Sequence, residues 1–300
     1  VSTSFATART LEEALAAVAT GARPVAGGTD LVVGARQGKA ALPDAIVAID
    51  RLPDLHRVEA GAGGGLEIGA GVTHATLLGS PTVRERYTAL ADACAIVGSH
   101  ATRAHGTLGG NVMNASPAMD TGGPLLCFGA RAVLASTRGN RSLALDELWA
   151  GPGRTVAEPD ELLVALSLPP QPQRSGSCYV RLEYRRQMEI AVVGVTAAVS
   201  VAAGRIATAQ VAITALAPTV QRVRAAEDLL IGSDAGEAAV QAAAAAAAAE
   251  AAPISDVRAS AEYRLAMAER IARRAIAGAL RRAAGEHVAI PASDTLFATD

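Results

Sequence analysis

Gly106-Thr107-Leu108-Gly109-Gly110-Asn111 is a run of small and polar residues with three glycines, and it continues through Asn114-Ala115-Ser116-Pro117 to Asp120. A second run of the same kind, Ala26-Gly27-Gly28-Thr29-Asp30-Leu31, lies far upstream. Glycine has no Cβ, so it takes positive φ and lets a ligand or another backbone come close. Successive main-chain N–H groups in such a turn form a concave nest for an anion. One glycine loop is weak evidence, since a tight turn before a helix has the same composition. Two of them, each followed by short polar residues, read as two clamps on one diphosphate.

The flanking sequence supports that reading. Thr10 and Glu13 fit a capping box, so a helix is expected from there to Ala19, with Gly21 as its stop. Residues 23–26 then form a short strand feeding the first loop, and residues 31–37 a short helix after it. A helix start offers free N–H donors and partial positive charge, which suits phosphate. Residues 45–49 read as a second buried strand. The cluster at 61–65 reads as a hairpin connection between strands at 57–60 and 66–69. Thr73 caps a short helix ending near Gly79, and helices are expected over 82–91, 92–98 and 120–128. Residues 131–136 and 161–168 read as strands.

Pro169-Pro170-Gln171-Pro172 and Arg174-Ser175-Gly176-Ser177 form the clearest linker. Beyond it, residues 179–184, 191–201 and 206–216 read as strands. Val195, Ala197, Val199 and Val201 alternate as in an antiparallel sheet with one wet face. Helices are expected over 222–230, 237–251 and 261–284. In the last, Leu265, Ala268, Ile271, Ala272, Ala275, Ile276, Ala279 and Leu280 make one apolar stripe, with Arg264, Arg270, Arg274 and Arg281 mainly on the other faces.

Composition narrows the function. The 300 residues carry a net charge of −2, which argues against a broad nucleic-acid surface. Lys39 is the only lysine, so two nests that bind phosphate through main-chain amides dispense with that side chain. Cys94, Cys127 and Cys178 are scattered and form no CxxC pair, so no cluster or zinc site is expected within the chain, and a reducing cytoplasm suits them. The first residues lack the basic start and apolar core of a signal peptide, and no apolar run is long enough to span a bilayer. No G-x-G-x-x-G follows a first strand and no G-x-x-x-x-G-K-[ST] is present, which removes Rossmann and P-loop sites. Dinucleotides remain. Asn111 and Asn114 also suit helix caps and Asp120 an N-cap. Arg181 also suits a strand flank, and His100 and His105, without clustered carboxylates or thiols, suit exposed loops.

The two loops, with Tyr179-Val180-Arg181-Leu182 leading to Met188-Glu189-Ile190-Ala191-Val192-Val193-Gly194, occur in an order and spacing that resembles the FAD-binding medium subunit of molybdenum hydroxylases, the group of xanthine dehydrogenase and aerobic carbon monoxide dehydrogenase. The resemblance covers nearly the whole chain. It implies an α+β fold: a vanillyl-alcohol-oxidase-like, PCMH-type FAD-binding domain over 1–172 with subdomains of about 1–55 and 56–172. A C-terminal domain over 178–286, with a three-stranded antiparallel sheet and helices, and a tail over 287–300 complete it. The implied cofactor is non-covalent FAD. The implied partners are a small subunit with two 2Fe–2S clusters and a large molybdopterin subunit, as a dimer of heterotrimers, with NAD+, oxygen or a quinone as acceptor.

Carried over by position, Ala26, Gly27, Gly28, Thr29, Asp30 and Leu31 form the first pyrophosphate clamp. Thr107, Gly109, Gly110, Asn111 and Asn114 belong to the second. Asp120 holds a polar part of the cofactor and Ala157 lies near its adenine end. Arg181, where many relatives have lysine, sits near the flavin ring and favours its anionic reduced form. No catalytic acid, base or nucleophile and no metal ligand is implied. The stretch Ala101-Thr102-Arg103-Ala104-His105 departs from the common Gln-Ile-Arg-Asn-Arg, and Glu189 stands where aspartate is usual. That departure keeps open the reading of an assembly subunit that has lost FAD; a stand-alone flavin oxidase is a third reading, for which the chain offers no histidine–tyrosine or carboxylate set.

Overall fold

The structure is a computed structural model and describes residues 3–38 and 40–296. The chain divides into two compact units. One holds the chain up to Thr76 with His100–Ala115 and Ala130–Pro170; the other holds Leu77–Ser99, Ser116–Gly129 and the chain from Gln171 onward.

In the first unit, helix Leu11–Ala19 starts as expected. Thr10 Oγ1 accepts the Glu13 N–H, while the Glu13 carboxylate accepts the N–H of Arg9 at 2.8 Å, one residue further back than in a standard capping box. Gly21, at φ +94°, ends the helix in the left-handed conformation that glycine permits. Strands Ser4–Thr7, Ala45–Ala48 and Arg23–Val25 form a parallel sheet with Ala45–Ala48 in the middle. Ala14, Leu15 and Val18 of the helix pack on Val47, Ile49, Leu52 and Leu55. Strand Ser4–Thr7 was not expected: all four residues are exposed, so it carries no burial pattern.

The second sheet of this unit is antiparallel, in the order Val58–Ala60, Leu66–Gly69, Leu162–Leu168, Arg131–Ser136, Gly139–Ala144. The glycine cluster at 61–65 is its hairpin connection. Gly63 and Gly64 take φ of +66° and +85°, and a Cβ on Gly65 would lie 2.2 Å from the Leu168 carbonyl oxygen.

In the second unit, strands Ser175–Leu182, Val193–Ala202, Arg205–Thr214 and Gln221–Arg222 form an antiparallel sheet. Four strands are present rather than three, the last being only two residues long. The linker is shorter than its composition suggests, because Ser175 and Gly176 already pair with Ser200 and Val199.

The expected wet face is absent, since the first eight residues of Val193–Ala202 are all buried. Gly176 backs onto helix Ala261–Ala283, where a Cβ would meet the Ala279 carbonyl oxygen at 2.2 Å. Helix Thr88–Ile96 is bound to the same strand: Ala89 donates its N–H to Ser177 Oγ at 3.1 Å, and Tyr179 donates its N–H to Asp92 at 3.1 Å. Helix Thr88–Ile96 meets the strand across 87 to 88 residues of sequence, beyond the reach of a periodicity argument.

The same contacts correct two readings. The helix break falls at Tyr87, between Pro81–Arg86 and Thr88–Ile96, and Asp92 lies inside the second helix rather than starting one. Arg264 is not on a solvent face. It is buried and donates to the carbonyls of Val192 at 2.5 Å and Ala215 at 3.3 Å and to Asp256 at 2.8 Å. No helix of the described residues is long and apolar enough to cross a membrane.

Candidate functional site

Both glycine loops belong to the first unit, and there they touch. A Cβ on Gly27 would lie 1.9 Å from the carbonyl oxygen of His105, and one on Gly106 would lie 3.5 Å from Thr29 Oγ1. Gly27 is therefore glycine because the upstream loop lies directly against the chain entering the downstream one.

The loops differ in how their amides are used. In the first, Gly28 turns at φ +64° and helix Leu31–Arg36 follows, close to expectation. The N–H groups of Gly27, Gly28, Thr29, Asp30 and Leu31 donate no hydrogen bond within the described residues. Polar main-chain groups are rarely left so without solvent or a ligand to take them. Asp30, the N-cap residue, makes no side-chain cap either, and burial pushes its carboxyl upward.

The second loop spends its amides internally. Leu108 donates to the Val72 carbonyl and Gly109 to the Ala70 carbonyl, both at 2.9 Å. Gly110 donates to Thr107 Oγ1 and Asn111 to the Thr107 carbonyl, both at 3.0 Å. Gly109 is required by packing, since a Cβ there would sit 2.6 Å from the carbonyl oxygen and Cβ of Ala70. The reading of this loop as a second open nest therefore reduces to the Thr107 N–H and the side chains around it. Its glycines fasten helix Leu108–Met113 onto the segment running from Ala70 to Thr73. Thr107 is the N-cap of that helix; Asn111 lies within it, and Asn114 is its exposed C-cap residue.

A cavity of about 380 Å³ opens where the loops meet. That is within the range of pockets that take small molecules and cofactors. Ala26, Gly27, Ala104, His105 and Thr107 line it, joined by Asp50, His56, Gly71 and Thr73. None of the last four was read from the sequence as a site residue; Thr73 was read only as a helix cap. The available signal was the spaced pair Gly69 and Gly71: Cβ atoms there would meet the Leu55 carbonyl oxygen at 2.3 and 3.0 Å, so both mark a close backbone approach.

His74 stands behind the site. It is buried, donates its N–H to the Gly106 carbonyl at 3.1 Å, and is held well below the usual imidazole range, at about 4, by burial and then by the Arg103 charge. A group so depressed is neutral in the folded chain and takes a proton on unfolding. Its contribution to stability is complete above about 6.5 and is lost as pH falls towards about 4. The unfolding midpoint of the chain is expected to drop across that window, and His74→Gln is expected to flatten the drop; identical pH profiles would contradict this.

Asp120 and Arg181 lie in the second unit, bonded to each other. The Asp120 carboxylate accepts the Tyr179 hydroxyl at 2.7 Å and Arg181 Nη1 at 2.8 Å. Asp120 is not an N-cap, since Thr121 precedes helix Gly122–Cys127. Arg181 is fully buried, pairs also with Glu183, and its Nε has no partner among the described residues. It is no exposed strand flank. Burial pushes Asp120 and Glu183 upward against the pull of Arg181. With two carboxylates on one guanidinium, Arg181 presents no unbalanced positive charge, which removes the basis for its expected effect on reduced flavin. Ala157 is half-buried in the first unit, between Val156, whose carbonyl accepts from Arg141 at 3.1 Å, and Glu158. Among the described residues no three His, Cys, Asp or Glu side chains gather as a metal ion would require.

Comparison with known proteins shows the family. Residues 1–171 match the family model described as the FAD binding domain in molybdopterin dehydrogenase, and residues 179–279 match the CO dehydrogenase flavoprotein C-terminal domain. The chain belongs to the FAD-binding subunits of the molybdopterin dehydrogenases. This FAD subunit is 29% identical to the xanthine dehydrogenase FAD-binding subunit of Escherichia coli O157:H7, over 94% of the chain and 98% of that protein. It is 31% identical to the carbon monoxide dehydrogenase medium chain of Afipia carboxidovorans, over 87% of the chain and 90% of that protein. Among solved structures it superposes on a chain of carbon monoxide dehydrogenase from Hydrogenophaga pseudoflava with a TM-score of 0.89, at 29% identity, covering 94% of this chain and 98% of that one. The α+β fold is thus the PCMH-type FAD-binding fold followed by an antiparallel sheet with helices. The subunit is an oxidoreductase component, and FAD is its cofactor.

Proposed function

We propose that this FAD subunit carries electrons between 2Fe–2S clusters of a small partner and an external acceptor, NAD+, oxygen or a quinone. A large molybdopterin partner hydroxylates the substrate, and the whole is a cytoplasmic dimer of heterotrimers. Supporting the partnership, the relatives are named as FAD-binding subunits or medium chains of dehydrogenases. Supporting the site, the described residues fit the cofactor: five adjacent unpaired N–H groups stand beside a cavity that the downstream loop also lines.

In this reading Ala26, Gly27, Gly28, Thr29, Asp30 and Leu31 hold the diphosphate by main-chain donation, and Thr107 adds a donor from across the cavity. Gly109 and Gly110 act by seating that loop, while Asn111 and Asn114 offer side-chain amides. Ala157, in the same unit, serves the adenine end of the cofactor. The residues 1–172 are assigned as the FAD-binding domain, with 178–286 as the C-terminal domain. Bound FAD supplies the redox chemistry, accepting electrons singly and releasing them in pairs; the protein binds and orients it.

The observation that carries the reading is the unsatisfied row of amides. The chain expressed alone is expected to show flavin absorption bands, or to take up added FAD with quenching of its fluorescence. A folded chain that neither retains nor takes up FAD would overturn the reading.

A further inference from the structure

We infer that His56 is an anion-binding residue of the cavity, and that it takes up a proton when FAD binds. This rests on the cavity being the diphosphate site. A diphosphate bridge brings two negative charges, whereas the main-chain amides of the first loop are neutral dipoles. No lysine or arginine lines the cavity among the described residues, and Asp50 adds a carboxylate of the wrong sign. The lining groups able to carry positive charge are His56 and His105.

His56 is the one held in place. Its Nε2 lies 2.8 Å from the main-chain carbonyl oxygen of Asp50. A carbonyl only accepts, so Nε2 carries the hydrogen. The exposed ring also lies close to Gly71, where an added Cβ would come within 3.1 Å of Cε1. Nδ1 has no partner within the described residues. With Nε2 committed as donor, Nδ1 of the neutral ring can only accept. Facing a phosphate oxygen it must donate, and it does so only when the ring is the imidazolium. Phosphate binding therefore draws a proton onto Nδ1, and the ring gains a charge-assisted hydrogen bond.

The other charged groups around the ring do not supply that charge. Asp54 and Arg57, on its own stretch, pair with each other. Across the cavity stand the hydroxyl residues Thr73 and Thr107 and the imidazole of His105, which makes no hydrogen bond within the described residues.

The test is calorimetric titration of the full chain with FAD in buffers of different ionisation enthalpy, repeated for His56→Gln and His105→Gln. Glutamine keeps an N–H for the Asp50 carbonyl but does not titrate. The unaltered chain is expected to take up protons on binding FAD. In His56→Gln that uptake is expected to disappear and FAD affinity to fall about tenfold, the equivalent of about 1.4 kcal/mol, while His105→Gln keeps the uptake. Riboflavin, which lacks the phosphates, is expected to bind both forms alike. Unchanged FAD affinity in His56→Gln, uptake that persists in it, or uptake lost in His105→Gln instead would each overturn the inference. Failure of the unaltered chain to bind FAD would be a failure of the site assignment itself.

Discussion

Gly27→Ala is expected to weaken FAD binding by roughly a hundredfold or more, a loss of about 3 kcal/mol. The methyl group would sit 1.9 Å from the His105 carbonyl oxygen and 2.5 Å from its carbon, distances no Cβ tolerates. The obstacle is backbone, so no side chain can rotate away, and the two loops must separate. Separation opens the cavity and displaces the five free amides from Thr107. Gly34→Ala is the matched control. That glycine lies in helix Leu31–Arg36, just beyond the loop, with nothing within 4 Å of the added methyl. Alanine there is expected to raise stability by about 0.5–1 kcal/mol through helix propensity and to leave FAD affinity unchanged. Fluorescence titration with FAD and thermal unfolding of both variants check this. Equal FAD affinity in the two would show that contact between the loops is not what forms the site.

Arg282→Met is expected to destabilise the chain by about 3–5 kcal/mol. Asp92 is completely buried and accepts four hydrogen bonds: two from Arg282 at 2.6 and 2.9 Å, one from the Tyr179 N–H at 3.1 Å and one from the Ala292 N–H at 3.0 Å. Arg282 in turn donates to the carbonyls of Ser177, Val288 and Ala289. One ion pair thus joins helix Thr88–Ile96, strand Ser175–Leu182, helix Ala261–Ala283 and the chain after it. Burial already pushes the Asp92 carboxyl upward, and Arg282 is the charge that opposes the push. Removing the guanidinium leaves a buried carboxylate with no counter-charge, whereas Asp92→Leu combined with Arg282→Met removes both charges and is expected to recover much of the loss. Chemical denaturation of the three variants measures the effect. A single variant within 1 kcal/mol of the unaltered chain would show that the pair contributes little.

What the sequence disclosed and what it concealed follow from the range of the interactions involved. Thr10, Glu13 and Gly21 act within a few residues, so the first helix could be read almost to its ends. Gly63 and Gly64 have a local reason in the positive φ of their turn, and the hairpin was legible. The positions of both phosphate loops were legible too, because glycine is costly unless something needs it. Which need each glycine serves was not legible. Gly27 answers to His105 and Gly109 to Ala70, partners 78 and 39 residues away (105 − 27 and 109 − 70). For that reason two loops of similar composition turned out to have opposite amide economies. Asp50, His56 and Thr73 line the cavity without a motif of their own, and the spaced pair Gly69 and Gly71, pressed against Leu55, was the one signal of that close approach. Arg264 and Arg282 fall beside the apolar stripe of their helix, where their charge argues for solvent, and only the tertiary fold supplies the carbonyls that hold them inside.

The central claim is that main-chain N–H groups of Gly27, Gly28, Thr29, Asp30 and Leu31 bind the diphosphate of FAD. Amide hydrogen exchange of the full chain, with and without FAD, tests it at those atoms. The account predicts marked slowing in the peptide spanning residues 26–31, weaker slowing at Thr107, and no change at Leu108, Gly109 and Gly110, whose amides are already bonded. FAD binding that leaves exchange across 26–31 unaltered would contradict it.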